Sequence, residues 1–137
     1  MMKVLVDTGV FINVLKKEPN YENSVKFLEK IQRKGMEGFI SAITIAEIIS
    51  IFYRISEEET LIAKTCIETF ISEDRIVPII KRIAEFAGKI KARYNISLGD
   101  AFIIATAILI GCKYLVSLDP EIKKIDLIEV KEPKELL

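Results

Sequence analysis

Hydrophobic and polar positions change their period several times along the chain, and each change marks an element. Val4, Leu5 and Val6 form a continuous apolar run that ends in Asp7, Thr8 and Gly9. A short β-branched run without alternation predicts a strand buried on both faces, as in the centre of a parallel sheet. From residue 10 to about 17 the pattern turns helical, and Pro19 and Asn20 break it. Residues 23–34 read as an amphipathic helix. Val25, Leu28 and Ile31 lie on one side, Lys26, Glu29, Lys30, Arg33 and Lys34 on the other, and Gly35 is the stop. Residues 38–40 predict a second strand, and residues 44 to about 54 a helix. Ser56, followed by Glu57, Glu58 and Glu59, opens the next helix by an N-cap and an acidic first turn, and it runs to about residue 72. Residues 75–79 read as the third strand. Residues 81–93 form a helix with Ile83, Phe86, Ala87 and Ile90 on one face. Ser97 caps a helix that is apolar nearly all round up to Ile110, hence buried, and Gly111 ends it. Residues 113–117 and 125–130 supply the fourth and fifth strands.

Strands alternating with helices predict an α/β fold, a central parallel sheet of about five strands flanked by helices, in one domain over residues 1–137. The loop between helices 81–93 and 97–110 is too short for both to run the same way, so one of them is expected to lie across the sheet. Helix 44–54 carries its polar residues, Thr44, Glu47, Ser50 and Arg54, on one narrow stripe. Its surplus apolar surface predicts a partner.

Composition narrows the chemistry. There is no histidine, which removes Ser-His-Asp triads, zinc-histidine sites and histidine-based ribonuclease mechanisms. Twenty acids balance twenty bases, which argues against a broad basic surface for nucleic acid. Cys66 and Cys112 fit no metal or redox spacing and read as small buried hydrophobes. No stretch approaches the roughly 18 apolar residues of a membrane span, and the chain opens on a strand instead of a secretory leader. A cytoplasmic location is expected.

The remaining chemistry lies in carboxylates. Asp7 and Asp119 follow the first and fourth strands, and Glu47 and Asp100 fall in the first turns of two helices. Singly, each has a capping explanation: Thr44-x-x-Glu47 and Ser97-x-x-Asp100 match capping boxes, Asp119-Pro120 an N-cap with proline behind it, and Asp7 a cap for the next helix. Together they point elsewhere. In a parallel sheet, strand carboxyl ends and helix N-termini share one edge, so all four acids should converge at the topological switch point between strands one and four. Like charges in one pocket repel, and a divalent ion relieves the repulsion. All-oxygen donors select Mg²⁺ or Mn²⁺. Such an ion activates water and neutralises a phosphoryl oxygen, which suits phosphodiester hydrolysis.

Four segments, Val4-Leu5-Val6-Asp7-Thr8, Ser41 to Glu47, Leu98 to Ala107 and Tyr114 to Asp119, resemble in order and spacing the four motifs of PIN-domain proteins. The compact chain is similar to the VapC toxins of toxin–antitoxin pairs. The resemblance implies a Mg²⁺- or Mn²⁺-dependent endoribonuclease acting on RNA, with Asp7 and Asp100 as first metal ligands and Glu47 and Asp119 as ligands or water-positioning groups. It implies that Thr8 and Ser117 orient carboxylates or substrate; strand-end hydrogen bonding alone is the other reading of both. It also implies a homodimer and an inhibitory antitoxin. Two departures stand out. Gly9 occupies a position commonly Asn or Ser, and Pro120-Glu121-Ile122 follows Asp119 where a second Asp and an aromatic are common, with Glu121 read as exposed. Lys123 and Lys124 lie beside the expected site and read as solvated charges. A receiver-type reading fails because Asp7-Thr8-Gly9 and the region after Val130 supply neither the pair of acids nor the lysine that it needs, and a haloacid-dehalogenase-like reading fails because Gly9 stands where a second Asp is needed. The other class of reading is a PIN-like module of weak or absent activity that holds RNA or a protein partner.

Overall fold

A computed structural model describes residues 1–137. Five strands, β1 (Lys3–Val6), β2 (Glu37–Ser41), β3 (Ile76–Val77), β4 (Tyr114–Val116) and β5 (Val130–Lys131), pair in parallel in the order 3-2-1-4-5. β1 is therefore central, and its apolar run is fully buried because it has a layer on each side. Val4 and Val6 face a core built with α1 (Thr8–Leu15), α2 (Tyr21–Gln32), α3 (Ala42–Phe52) and α4 (Glu57–Phe70). Leu5 faces the opposite core, built with α5 (Lys81–Arg93), α6 (Leu98–Leu109) and Ile122 of the short α7 (Pro120–Lys123). The side-chain period of two thus divides three consecutive apolar residues between two cores. Each such residue contributes roughly 1.5–3 kcal/mol of burial.

The two helices expected to compete for the sheet form a stack. α6 lies on β1, β2 and β4, and α5 packs on α6 through Ile83, Ala87 and Ile90. The connection between them is the short stretch of residues 94–97. Gly111 ends α6 as expected: its φ of +77° lets its own N–H reach Ile108 O and that of Cys112 reach Ala107 O.

Several boundaries differ from the sequence pattern. α2 buries Ser24, Phe27, Leu28 and Ile31, whereas Val25 is only half-buried. Its stop is Lys34, in the left-handed region at φ +64°, and Gly35 is one residue too late. Gly35 N–H bonds Lys30 O at 2.9 Å, and a Cβ there would meet Lys30 Cγ at 2.8 Å, so the glycine serves close approach instead of a positive φ. The fifth strand contains only Val130 and Lys131; Ile125 closes the turn after α7 and is buried there, so the apolar residues from 125 to 128 serve a turn, not a strand. β3 likewise shrinks to two residues.

Candidate active site

β1 and β4 run in register with Val6 beside Val116, so Asp7 and Ser117 leave adjacent strands side by side. The Asp7 amide bonds Val116 O at 2.9 Å, and Ser117 Oγ donates to Asp7 Oδ2 at 2.7 Å. Ser117 Oγ also accepts from the Asp119 amide at 3.0 Å, so one hydroxyl ties the two strand-end acids together. Asp7 occupies the N-cap position of α1, but its carboxylate makes no capping bond. Asp119 does cap α7, accepting from the Glu121 amide at 2.9 Å with Pro120 behind it. Ser97 caps α6 through the Asp100 amide at 3.1 Å.

Glu47 is held differently from the sequence expectation. α3 begins at Ala42 and is capped by Ser41, whose Oγ accepts from the Ile43 amide at 3.1 Å. Thr44 is thus a residue of the helix and forms no capping box with Glu47. Instead Thr8 Oγ1 donates to Glu47 Oε1 at 2.7 Å, and the Thr8 and Thr44 hydroxyls lie 2.9 Å apart.

Asp7, Glu47, Asp100 and Asp119 line one cleft of about 330 Å³, together with Thr8. Four acids from four elements therefore meet at the carboxyl edge where β1 and β4 adjoin, the switch point of the sheet. Glu18 also lines this cleft, a fifth acid missed by sequence reasoning. Its place depends on Lys17, whose φ of +49° turns the chain back after α1, and no periodicity announces such a turn. Glu121 lies outside the cleft, exposed, and pairs with Lys124 at 3.3 Å; Lys123 pairs with Glu132. Both lysines are thus engaged in surface ion pairs.

The electrostatics follow from burial. Asp7 is only 5% exposed, and desolvation pushes its carboxyl up to about 7 against the pull of the Ser117 hydrogen bond, with the charges of Asp100 and Glu47 adding to the rise. Asp100 is raised by burial and then by the charge of Asp119, against the Ser97 hydrogen bond. Cys66 and Cys112 are half-buried free thiols, both pushed up by burial, Cys112 to about 12, so neither is a ready nucleophile.

The donor set fits a hard divalent cation: four carboxylates with hydroxyls behind them and no sulfur or imidazole. No three of these side chains form a closed cation cage. A spread set in a cleft this size suits an ion that keeps several waters and takes one or two carboxylates directly, as Mg²⁺ does.

A family model described as the PIN domain matches residues 4–128. The chain belongs to the PIN domain family. No curated protein matches its sequence. Among solved structures, this PIN domain is similar to VapBC2 from Rickettsia felis bound to a DNA fragment from its promoter, with a TM-score of 0.77 and 17% identity over 96% of this chain and 98% of that one. A toxin–antitoxin complex from Klebsiella pneumoniae aligns with TM-score 0.71 and 24% identity, covering 95% and 97% of the two chains. Mycobacterium tuberculosis VapC20, described as a sarcin–ricin loop cleaving toxin, aligns with TM-score 0.73 and 16% identity, covering 93% and 98%. The fold is thus shared over nearly the full length of each.

Proposed function

We propose that this PIN domain is an endoribonuclease that hydrolyses RNA phosphodiester bonds with Mg²⁺ or Mn²⁺, the toxin of a VapBC-type pair acting in the cytoplasm. The observation that carries the reading is the convergence of Asp7, Glu47, Asp100 and Asp119 on one cleft at the switch point. Asp7 and Asp100 would hold the ion directly; Glu47 and Asp119 would hold it or orient water beside it. When bound, the ion lowers the pKa of water and neutralises charge on a phosphoryl oxygen. The chain's own residues do the rest. Ser117 keeps Asp7 Oδ2 in place and anchors the turn that presents Asp119. Thr8 fixes one oxygen of Glu47 and leaves the other free. Apolar Ile12, Ile51 and Leu118 line the same cleft and limit water around the acids.

Partner binding has its own support. A mostly apolar cavity of about 450 Å³ opens between α3 and α4, lined by Ile45, Ile49, Ile67 and Ile71 among others. Tyr53 and Ile55 stand exposed at the turn joining these helices, and Leu61 and Ile62 are exposed on α4 itself. Such surface suits an antitoxin segment or a second copy of the chain, in keeping with the toxin–antitoxin complex of the same fold. No helix is long and apolar enough to cross a membrane.

The test is cleavage of a structured RNA by purified protein with Mn²⁺ and with EDTA. Asp7→Asn and Asp100→Asn are expected to abolish metal-dependent cleavage. Undiminished cleavage by a rigorously purified Asp7→Asn protein overturns the assignment. A second reading, a PIN module that binds RNA or protein without cutting, is favoured by the mostly apolar cavity between α3 and α4, which suits a partner. RNA binding without cleavage by wild type, at any Mn²⁺ concentration, establishes it.

A further inference from the structure

Behind the Thr8 bond to Glu47 stand two residues that the proposed chemistry does not use, Thr44 on the side of Oε1 and Gly99 on the side of Oε2. Glu47 Oε1 receives the Thr8 hydroxyl at 2.7 Å. A threonine hydroxyl has one proton, and a carboxylate oxygen offers none, so the Thr8 proton is committed to Glu47. The 2.9 Å contact between the Thr8 and Thr44 hydroxyls can then run only one way: Thr44 donates and Thr8 accepts. Thr44 is 0% exposed, so no water competes for that proton. The result is a directed chain from Thr44 through Thr8 to Glu47. Each link polarises the next, which favours one orientation of the carboxylate. On the other oxygen the constraint is steric. A Cβ at Gly99 would lie 2.7 Å from Glu47 Oε2, well inside contact distance. Gly99 sits in the first turn of α6 with no positive φ, so its backbone does not require glycine. Glycine is also the weakest ordinary helix former, and the approach of Glu47 is what its presence there explains.

We propose that Thr44 and Gly99 are positioning residues for Glu47, Thr44 by donating through Thr8 to Oε1 and Gly99 by leaving room for Oε2. The inference rests on the reading of the cleft as a divalent-cation site. It assigns Glu47 a preset place beside Asp100, with Oε2 turned towards α6 and Oε1 withdrawn into the hydroxyl chain.

Mn²⁺ affinity measured by calorimetry tests it, without recourse to turnover. The proteins are wild type, Thr44→Val, Thr44→Ser, Gly99→Ala, Glu47→Gln and the Thr44→Val/Glu47→Gln double variant, each first shown to unfold cooperatively in EDTA. Loss of a group that orients a metal ligand typically weakens binding about 10- to 100-fold. Thr44→Val and Gly99→Ala are each expected to fall in that range. Thr44→Ser, which keeps the hydroxyl, should bind as wild type does. In the double variant, Thr44→Val should add nothing to the loss caused by Glu47→Gln. Wild-type affinity in Thr44→Val, equal losses in the Ser and Val variants, or additive losses in the double variant overturn the relay. Wild-type affinity in Gly99→Ala overturns the steric half. Gly99 is not part of the buried core, so Gly99→Ala carries the test if Thr44→Val fails to fold. Failure of wild type to take up Mn²⁺ overturns the cation-site reading and this inference together; uptake with unaffected variants overturns this inference alone.

Discussion

Asp7→Asn should make the protein more stable in EDTA at alkaline pH, and the gain should vanish on acidification. Burial and neighbouring charge raise the Asp7 carboxyl from 3.8 to about 7. A raised carboxyl means that the folded protein holds its proton more tightly than the unfolded chain does. The resulting penalty is absent below the unfolded pKa, grows as pH rises from about 4 to 7, and is constant above that. At about 1.36 kcal/mol per pKa unit, a shift of roughly three units costs about 4 kcal/mol at alkaline pH. Asparagine removes the charge and keeps the shape, and Ser117 still finds an acceptor in its amide oxygen. A buried amide is less well matched to that hydroxyl than a carboxylate, so about half the penalty, some 2 kcal/mol, should be recovered. With an unfolding entropy of about 2.1 cal/mol/K per residue, a chain of 137 residues gains roughly 7 °C in Tm for that amount.

The assay is thermal unfolding of wild type and variant in EDTA across pH, followed by the same series with Mn²⁺. The variant should melt higher at about pH 8.5, match wild type near pH 5, where the Asp7 penalty has fallen to about 2 kcal/mol, and melt lower near pH 4. Saturating Mn²⁺ should reverse the order at alkaline pH, because an ion at about 100 times its Kd adds about 2.7 kcal/mol to the protein that binds it and nothing to the one that does not. A Tm difference in EDTA that does not change with pH refutes the reasoning, since a packing effect carries no such dependence. A variant less stable than wild type at alkaline pH refutes it as well.

Other consequences are separable. Ser117→Ala removes the hydrogen bond that lowers the Asp7 carboxyl, so the acidic limb of the pH–rate profile for RNA cleavage should move to higher pH, with an unmoved limb counting against the role of Ser117. Lys34→Gly relieves a left-handed residue at the end of α2 and should raise stability by about 0.5–1 kcal/mol in urea unfolding. Gly38→Ala should lower it by about 1–3 kcal/mol, because a Cβ there would meet Ile31 Cδ1 at 2.7 Å inside the core. Thr106→Val, where the hydroxyl bonds only Phe102 O within α6 at 2.7 Å, should change stability by less than about 1 kcal/mol and leave Mn²⁺ binding untouched.

The parallel sheet and the gathering of four acids were legible because both depend on where elements begin and end, and strand-end acids, caps and glycines announce those places. What stayed hidden depends on elements far apart in the chain. Thr44 matched a capping box with Glu47, and only the pairing of β1 with β2 puts its hydroxyl against Thr8. The helical pattern around Gly99 gives no reason for a glycine there; the reason is a side chain 52 positions earlier. Glu18 depends on a left-handed Lys17, a conformation that no hydrophobic pattern encodes. The fifth strand failed for the opposite cause. Its apolar residues are real, but Ile125 is buried by closing a turn, and burial alone does not distinguish a turn from a strand.

Among the acids, Asp7 discriminates between structure and chemistry. Asp119 caps a helix, and Asp100 sits in the first turn of another, where a negative charge is favourable without any ligand. Glu47 satisfies a hydroxyl. Each of these would be tolerable in a protein that did nothing with them. Asp7 caps nothing, lies buried and accepts from a single side-chain hydroxyl, with two other carboxylates raising it further. A residue selected for stability at that position would be Asn or Ser, which make the same hydrogen bond without the charge. The fold therefore carries a cost of several kcal/mol at the end of its central strand, where the charges of Asp100 and Glu47 add to it. A cation turns that cost into binding energy, because the ion favours the charged form that burial opposes. The same few kcal/mol thus link the expected alkaline instability of Asp7 in EDTA to the proposed metal dependence of cleavage, and the two should disappear together in Asp7→Asn.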